Sequence, residues 1–340
     1  LQKNYQMQIE IPAWTTHHNQ FLYSFLIYSI EKKIDLKFSL NTSIHVNGAV
    51  LNWKGKKIYF DYCDDVVLID NPENYDFYFK RSLLKESQEI YPNLFPLNFH
   101  VNFAKWPLKL ISKMSHRILT KKESWVEVVR AIDVFGKITN ESHLSVDLGQ
   151  FSRTNPEIGR VIFMTRLWDP SRNDDLEEKE RRMIQNDFRI NACRILKKSF
   201  PDSFVGIFPD EFGVKSAPDI LLDINHTLKR NYLSALAQSD IAIADDGLKD
   251  TPGWKIGEYL MAGKAVITTP IKVLIEDFEE NVNFLSTGRR DDYAILPDLV
   301  NSLRKDQAYK LMQEQNKRWY KSHLEPVAYV SSILFKVDQI

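Results

Sequence analysis

The stretch Ile241-Ala-Ile-Ala-Asp-Asp-Gly-Leu-Lys-Asp250-Thr-Pro-Gly-Trp-Lys-Ile-Gly-Glu258-Tyr-Leu-Met-Ala-Gly-Lys-Ala-Val-Ile-Thr-Thr-Pro270 decides the fold. Its apolar run over 241–244 reads as a buried strand, followed by an acidic loop. Thr251-Pro252-Gly253 then opens a short helix, predicted over 254–262, that ends at Ala262-Gly263. A β-branched strand over 265–269 follows and stops at Pro270. In an open parallel sheet, ligands sit beyond the carboxyl ends of the strands. A helix that starts there offers free N–H groups to a phosphate. Glu258 lies one turn inside that helix, within reach of hydroxyl groups on a ligand held at its start. Phosphate plus hydroxyls is the pattern expected for a nucleotide sugar.

Strands and helices alternate outward from this stretch. Residues 161–164 and 204–208 read as strands, with a long charged helix over 176–200 between them. Its predicted buried stripe is Met183, Ile190, Cys193 and Leu196. A helix over 228–238 precedes the central strand. A further strand over 282–285 and helices near 291–304 and 306–322 follow. Such alternation implies a parallel sheet with crossover helices. The first half opens with Met7, Ile9 and Ile11 alternating with Gln8 and Glu10, a strand pattern. A loop at 15–19 leads into Phe21, Leu22, Phe25, Leu26 and Ile30 at helical spacing. Short β-rich runs at 37–40, 58–62, 66–69 and 76–80 come next, and 106–138 reads as helical with a break near Thr120. The segment 145–160 holds Gly149, Pro156 and Gly159 without periodicity, the mark of a linker. The reading is therefore α/β with two Rossmann-like domains, 1–150 and 151–323, and an apolar segment over 324–340 that docks.

Composition agrees. A chain of 340 residues exceeds the length at which one core keeps growing, so two domains are expected. Its 45 basic and 45 acidic side chains cancel, which argues against nucleic acid as a partner. The two cysteines, Cys63 and Cys193, offer neither a metal-ligand spacing nor a disulfide framework. Reduced thiols in a cytoplasmic compartment are the simplest reading. No apolar run reaches the length of a membrane span.

Glu258-Tyr-Leu-Met-Ala-Gly-Lys-Ala-Val-Ile-Thr, with Gly253 before it, resembles the retaining nucleotide-sugar glycosyltransferases of the GT-B fold. Those enzymes carry two glutamates separated by seven residues and then a Leu/Met-Ala-x-Gly-x-Pro-Val-Ile stretch. Asp250 occupies the first acidic position here, and Ala265 replaces the usual proline. The resemblance implies two Rossmann-like domains facing across a cleft, with the last helix crossing back onto the first domain. It also implies a glycosyl transfer from a nucleoside-diphosphate sugar to a glycan or lipid-linked acceptor. Assembly of a bacterial surface polysaccharide or glycoconjugate is the setting it suggests, with no cofactor or metal beyond the donor itself. Asp250 would orient the transferred sugar, or act merely as a helper of the helix N-terminus. Glu258 would hold the ribose. Gly253, Trp254 and Lys255 would lie along the phosphates, though a solvated Lys255 is an equal reading. Arg166, in Thr165-Arg166-Leu167, matches a family arginine that holds the diphosphate. The family lysine five residues on is Ser171 here, with Arg172 beside it as the substitute. A guanidinium suits that task because it pairs with phosphate oxygens in a bidentate fork.

Further candidates lie in the first half. His17 and His18 sit on the first strand–helix loop, where they would touch donor or acceptor or remain exposed. Asp61 leads an acidic cluster with Asp64 and Asp65 that would supply a general base or form a polar loop. Lys80 and Arg81 would meet an anionic acceptor or form a solvated pair. Residues 105–122 interleave Lys105, Lys109, Lys113, Arg117 and Lys121 with apolar residues, a pattern that suits weak contact with an anionic leaflet or an ordinary surface helix. Two other functions remain open on this reading. One is a nucleotide-sugar epimerase or hydrolase on the same fold. The other is a non-catalytic sugar-binding scaffold.

Overall fold

The computed structural model describes residues 6–104, 106–133, 158–247, 249 and 251–339. The chain divides into two compact units. The first takes Leu1–Val146, Val273–Glu276 and Lys321–Ile340; the second takes Asp147–Lys272 and Asp277–Tyr320. Both are α/β. Most of the expected linker, and the predicted helical residues 134–138, lie outside the described residues.

The first unit is built on strands β1 (Gln6–Ile11), β2 (Asp35–Leu40), β3 (Gly48–Trp53), β4 (Lys56–Asp61), β5 (Phe77–Lys80) and β6 (Leu94–Pro96). Their order is β2-β1-β3-β4-β5-β6. Strand β3 runs antiparallel to both β1 and β4, whereas the other pairings are parallel. The β3–β4 hairpin turns on Lys54 (φ 51°) and Gly55 (φ 82°). Positive φ at both central residues marks the tight turn that matches strand twist, and glycine accepts it without steric cost. The helices Asn19–Glu31 and Pro326–Gln339 pack on the sheet, joining Phe21, Phe25, Val330 and Ile333 to Ile9 and Phe60 in one core.

The predicted strand over 66–69 does not form. Carboxylates capture its backbone instead: Ile69 N–H donates to Asp61 Oδ2 at 3.2 Å and Val67 N–H to Asp65 Oδ1 at 3.0 Å. Such side-chain bonds compete with a ladder. The predicted long helix after residue 106 breaks into three: Leu108–Ile111, His116–Leu119 and Lys122–Ile132.

The second unit holds β7 (Val161–Thr165), β8 (Phe204–Ile207), β9 (Ile241–Ile243), β10 (Ala265–Thr268) and β11 (Phe284–Ser286). Their order is β11-β10-β9-β7-β8, and every pairing is parallel. The chain leaves β7 toward β8 and then returns to β9 on the opposite side. That reversal places a topological switch point between β7 and β9, where open sheets of this kind bind ligands. The helix Leu176–Ser199 covers the sheet with Phe188, Ala192, Cys193 and Leu196. Met183, expected in its stripe, is exposed. Gln185 and Arg189 occupy the buried face instead, because they bond to the strand ends, as follows.

Candidate functional site

The carboxyl ends of β7 and β9 carry a dense set of charged groups. Arg166 follows β7 directly and is exposed. Its guanidinium carbon lies 5.5 Å from the Trp168 ring and 5.2 Å from the Phe208 ring. Cation–π attraction to two rings restricts the side chain while leaving its N–H groups free to bind. The Arg166 carbonyl accepts a bond from Arg189 Nη1 at 2.6 Å, and Arg189 Nε donates to Asp245 Oδ2 at 2.6 Å. One buried arginine thus ties the end of β7 to the end of β9. Asp246 pairs with Arg290 and accepts the Thr269 hydroxyl at Oδ1, 3.1 Å away. Burial pushes the Asp246 carboxyl up to about 6, with Asp245 adding to the rise and Arg290 opposing it.

The loop beyond Asp246 closes on itself through the Asp246–Pro252 bridge. Gly253 passes so near the strand that a Cβ would stand 2.9 Å from the Asp245 carbonyl. That close approach needs glycine. Asp250 lies outside the described residues. The following helix, Lys255–Met261, begins after Trp254. Its seven residues make a weak dipole, so the ligand chemistry here belongs to side chains more than to the helix start.

Lys255 turns back across the sheet to donate to the Met164 carbonyl, and its ammonium lies 5.4 Å from the Tyr232 ring. Burial, followed by the nearby Arg189, pulls its pKa down to about 8; Glu258 and Asp245 resist the fall. Glu258 is buried, with Oε1 on Lys229 Nζ and Oε2 accepting the Tyr232 hydroxyl at 2.9 Å.

Arg166, Gly253, Trp254, Lys255 and Glu258 all lie in the second unit, Arg166 beside Trp168 and Phe208, and Lys255 and Glu258 beside Tyr232. Arg172 is separate in character: it is exposed and sits 3.5 Å from Asp169 in a short turn. Sequence reasoning missed Arg189, Lys229, Tyr232, Asp245 and Arg290. A signal existed for two of them. Arg189 is spaced four residues from both Gln185 and Cys193, on the helix face that is buried. Arg290 follows the last strand of a parallel sheet. Lys229 and Tyr232 carry no such mark.

The first-unit candidates are not where the sequence suggests. His18 is buried, with Nε2 3.0 Å from the Gly48 carbonyl and Nδ1 3.1 Å from the Thr15 hydroxyl. Burial drives its pKa down to about 3, so it is a neutral core histidine. His17 faces Arg81, whose Nη1 lies 3.0 Å from its Nδ1; Arg81 also reaches His100 and Asp64. Burial and then the Arg81 charge hold His17 down to about 4. Lys80 is fully buried against Asp61 at 3.1 Å. Asp61 further accepts Tyr78 OH at 2.8 Å and the Cys63 N–H at 3.0 Å. Enclosed in this way, the Asp61 carboxylate is part of the core rather than an open base, and Lys80–Arg81 is not a solvated pair.

No family model and no curated protein matches the chain. Solved structures do. A glycosyltransferase from Rickettsia africae ESF-5 is 11% identical over 94% of this chain and 80% of its own, with a TM-score of 0.43. Anabaena Alr3699/HepE, solved with UDP and glucose, is 10% identical over 97% of this chain and 99% of its own, with a TM-score of 0.37. A protein from Listeria monocytogenes, assigned as a UDP-N-acetylglucosamine 2-epimerase, is 11% identical over 94% of this chain and 97% of its own, with a TM-score of 0.34. Likeness at this level leaves the function to be read from the residues themselves. Among the described residues, no helix is long and apolar enough to cross a membrane.

Proposed function

We propose that the second unit binds a nucleoside-diphosphate sugar at the carboxyl ends of β7 and β9, and that the protein transfers the sugar to a glycan or lipid-linked acceptor. The observation that carries this reading is the placement of three groups at the carboxyl end of the parallel sheet: Arg166 directly follows β7, Lys255 donates to the Met164 carbonyl in that strand, and Glu258 lies one turn further along the Lys255 helix. Arg166 and Lys255 supply positive charge for the diphosphate. A phosphate beside Lys255 would also offset the burial that depresses its pKa. Arg189 does not bind the ligand; it holds the ends of β7 and β9 at a fixed spacing through Arg166 and Asp245. Glu258, oriented by Lys229 and Tyr232, accepts hydroxyls of the ribose. Asp250 orients the transferred sugar, and a retaining outcome and a role in bacterial surface polysaccharide assembly belong to this proposal through the motif resemblance.

Breaking the bond between sugar and diphosphate places new negative charge on the leaving phosphate. A fixed guanidinium stabilises that charge more in the transition state than in the ground state. Arg166→Ala should therefore reduce turnover about 100-fold or more while affecting donor affinity less. Glu258→Ala should weaken the donor in both states alike. Melting temperatures measured against a panel of nucleoside diphosphates and their sugars test binding directly, since a ligand raises apparent stability by mass action. If no member of the panel shifts the melt, or if both variants keep parental affinity and turnover, the assignment fails.

A further inference from the structure

The helix Lys122–Ile132 buries apolar Val128 and Ala131 together with polar residues. Ser124 and Glu127 are buried, whereas Trp125 and Val126 are 64% and 44% exposed. The inward polar groups have definite work. Ser124 Oγ accepts from Trp14 N–H at 2.8 Å, and Glu127 Oε1 accepts from the Thr16 hydroxyl at 2.8 Å and from Arg130 at 2.7 Å. With Ser124 and Glu127 committed to the 14–16 loop, and Val128 and Ala131 to the core, the helix leaves Trp125 and Val126 outward. Exposed apolar residues grouped together and rimmed by charge, rather than scattered singly, are what mark an interaction surface.

Charge surrounds this apolar ridge. The short helix His116–Leu119 packs on it, and Trp106, which precedes Leu108–Ile111, donates its N–H to the Ala131 carbonyl at 2.9 Å. These two short helices and the turn between them expose Lys109, Lys113 and Arg117, and Leu108 is 66% exposed. Lys122 and Arg130 extend the basic field along the ridge itself. Of the acidic residues between 106 and 133, Glu123 alone is exposed; Glu127 and Asp133 are buried.

We propose that this surface, centred on Trp125, seats on an anionic lipid leaflet. A surface that carries an exposed indole, with cations spread over three short helices, suits a planar field of negative headgroups. The indole is amphipathic and settles at headgroup level. Basic side chains near an anionic surface each contribute about fivefold to the partition, and salt screens them. The sequence pattern alone places the contact on 105–122; the structure moves its centre onto the following helix.

Co-sedimentation tests this, using the whole protein with phosphatidylcholine vesicles that do or do not contain phosphatidylglycerol. At low salt the protein should pellet with the anionic vesicles and not with the neutral ones. The triple variant K109E/K113E/R117E should weaken partition by about a hundredfold or more. Trp125→Ser should weaken it by about tenfold and abolish a vesicle-induced blue shift of tryptophan emission. Because all four side chains lie at the surface, these variants should melt like the parent. Failure of the parent to pellet at low salt overturns the proposal. So does unchanged binding by either variant. A concentration-dependent dimer in ultracentrifugation, lost in Trp125→Ser, would assign the ridge to a second copy and likewise overturn it.

Discussion

Replacing Asp61 with asparagine separates two roles that the sequence leaves open for this carboxylate. The structure gives it a structural one. Asp61 and Lys80 are both fully buried, 3.1 Å apart, and the aspartate also accepts Tyr78 OH and the N–H groups of Cys63 and Ile69. Asparagine keeps the shape but leaves the ammonium without a counter-charge, and it turns an NH2 toward groups that are themselves donors. Breaking a buried pair from one side typically costs about 3–5 kcal/mol. For a unit of this size, about 2–4 °C of melting temperature accompanies each kcal/mol, so the first unit should melt roughly 6–20 °C lower. Near-ultraviolet circular dichroism, sensitive to the aromatic cluster around Tyr78, would follow the melt. Turnover measured well below the lowered transition should remain near the parental value. The double variant Asp61→Leu with Lys80→Met should recover much of the lost stability, because removal of both charges leaves neither orphaned. The opposite result refutes this reasoning: a parental melt with turnover down 100-fold or more would make Asp61 the general base.

Three further outcomes follow from particular residues. His17 and His18 have folded pKa values of about 4 and about 3, below the ordinary value of 6.5, so the unfolded chain binds more protons between those limits. The first unit should therefore lose stability as pH falls from about 6.5 toward 4, and His18→Gln should flatten part of that slope in pH-dependent melts. Asp246 has the reverse sign: its carboxyl is raised to about 6, so the folded state holds the extra proton. Its contribution to the second unit should grow as pH falls from about 6 to 4 and vanish in Asp246→Asn, measured by urea titration at the two ends of that range. Gly213→Ala would place a Cβ 2.4 Å from the Phe208 carbonyl, which must shift, and should cost about 1–3 kcal/mol by denaturant titration. A melt equal to the parent's would show that the 208–213 turn relaxes freely.

Much of the second unit is legible from its residues alone. Apolar runs of strand length alternate with helical periodicity from 161 to 304, and short-range pattern suffices to define each element. The observed strands β7 to β11 fall within two residues of that reading, and Arg166 lies just after a strand and Glu258 inside a helix, as the chain order specifies. The first unit is less legible. Strand β3 lies in a stretch where two positive-φ residues, Lys54 and Gly55, form the turn, and its antiparallel pairing to β1 joins residues about 40 apart. In the second unit the sequence by itself determined where the strands lie and where the long helices run between them, because that choice depends on neighbours within a few residues. Only the tertiary structure decided which charges meet. Arg189 reaches Asp245 across 56 positions and Lys229 reaches Glu258 across 29. It also took Asp61 and His18 out of solvent and turned Trp125 into it. Burial and pairing depend on which segments fold against one another, and no local pattern encodes that.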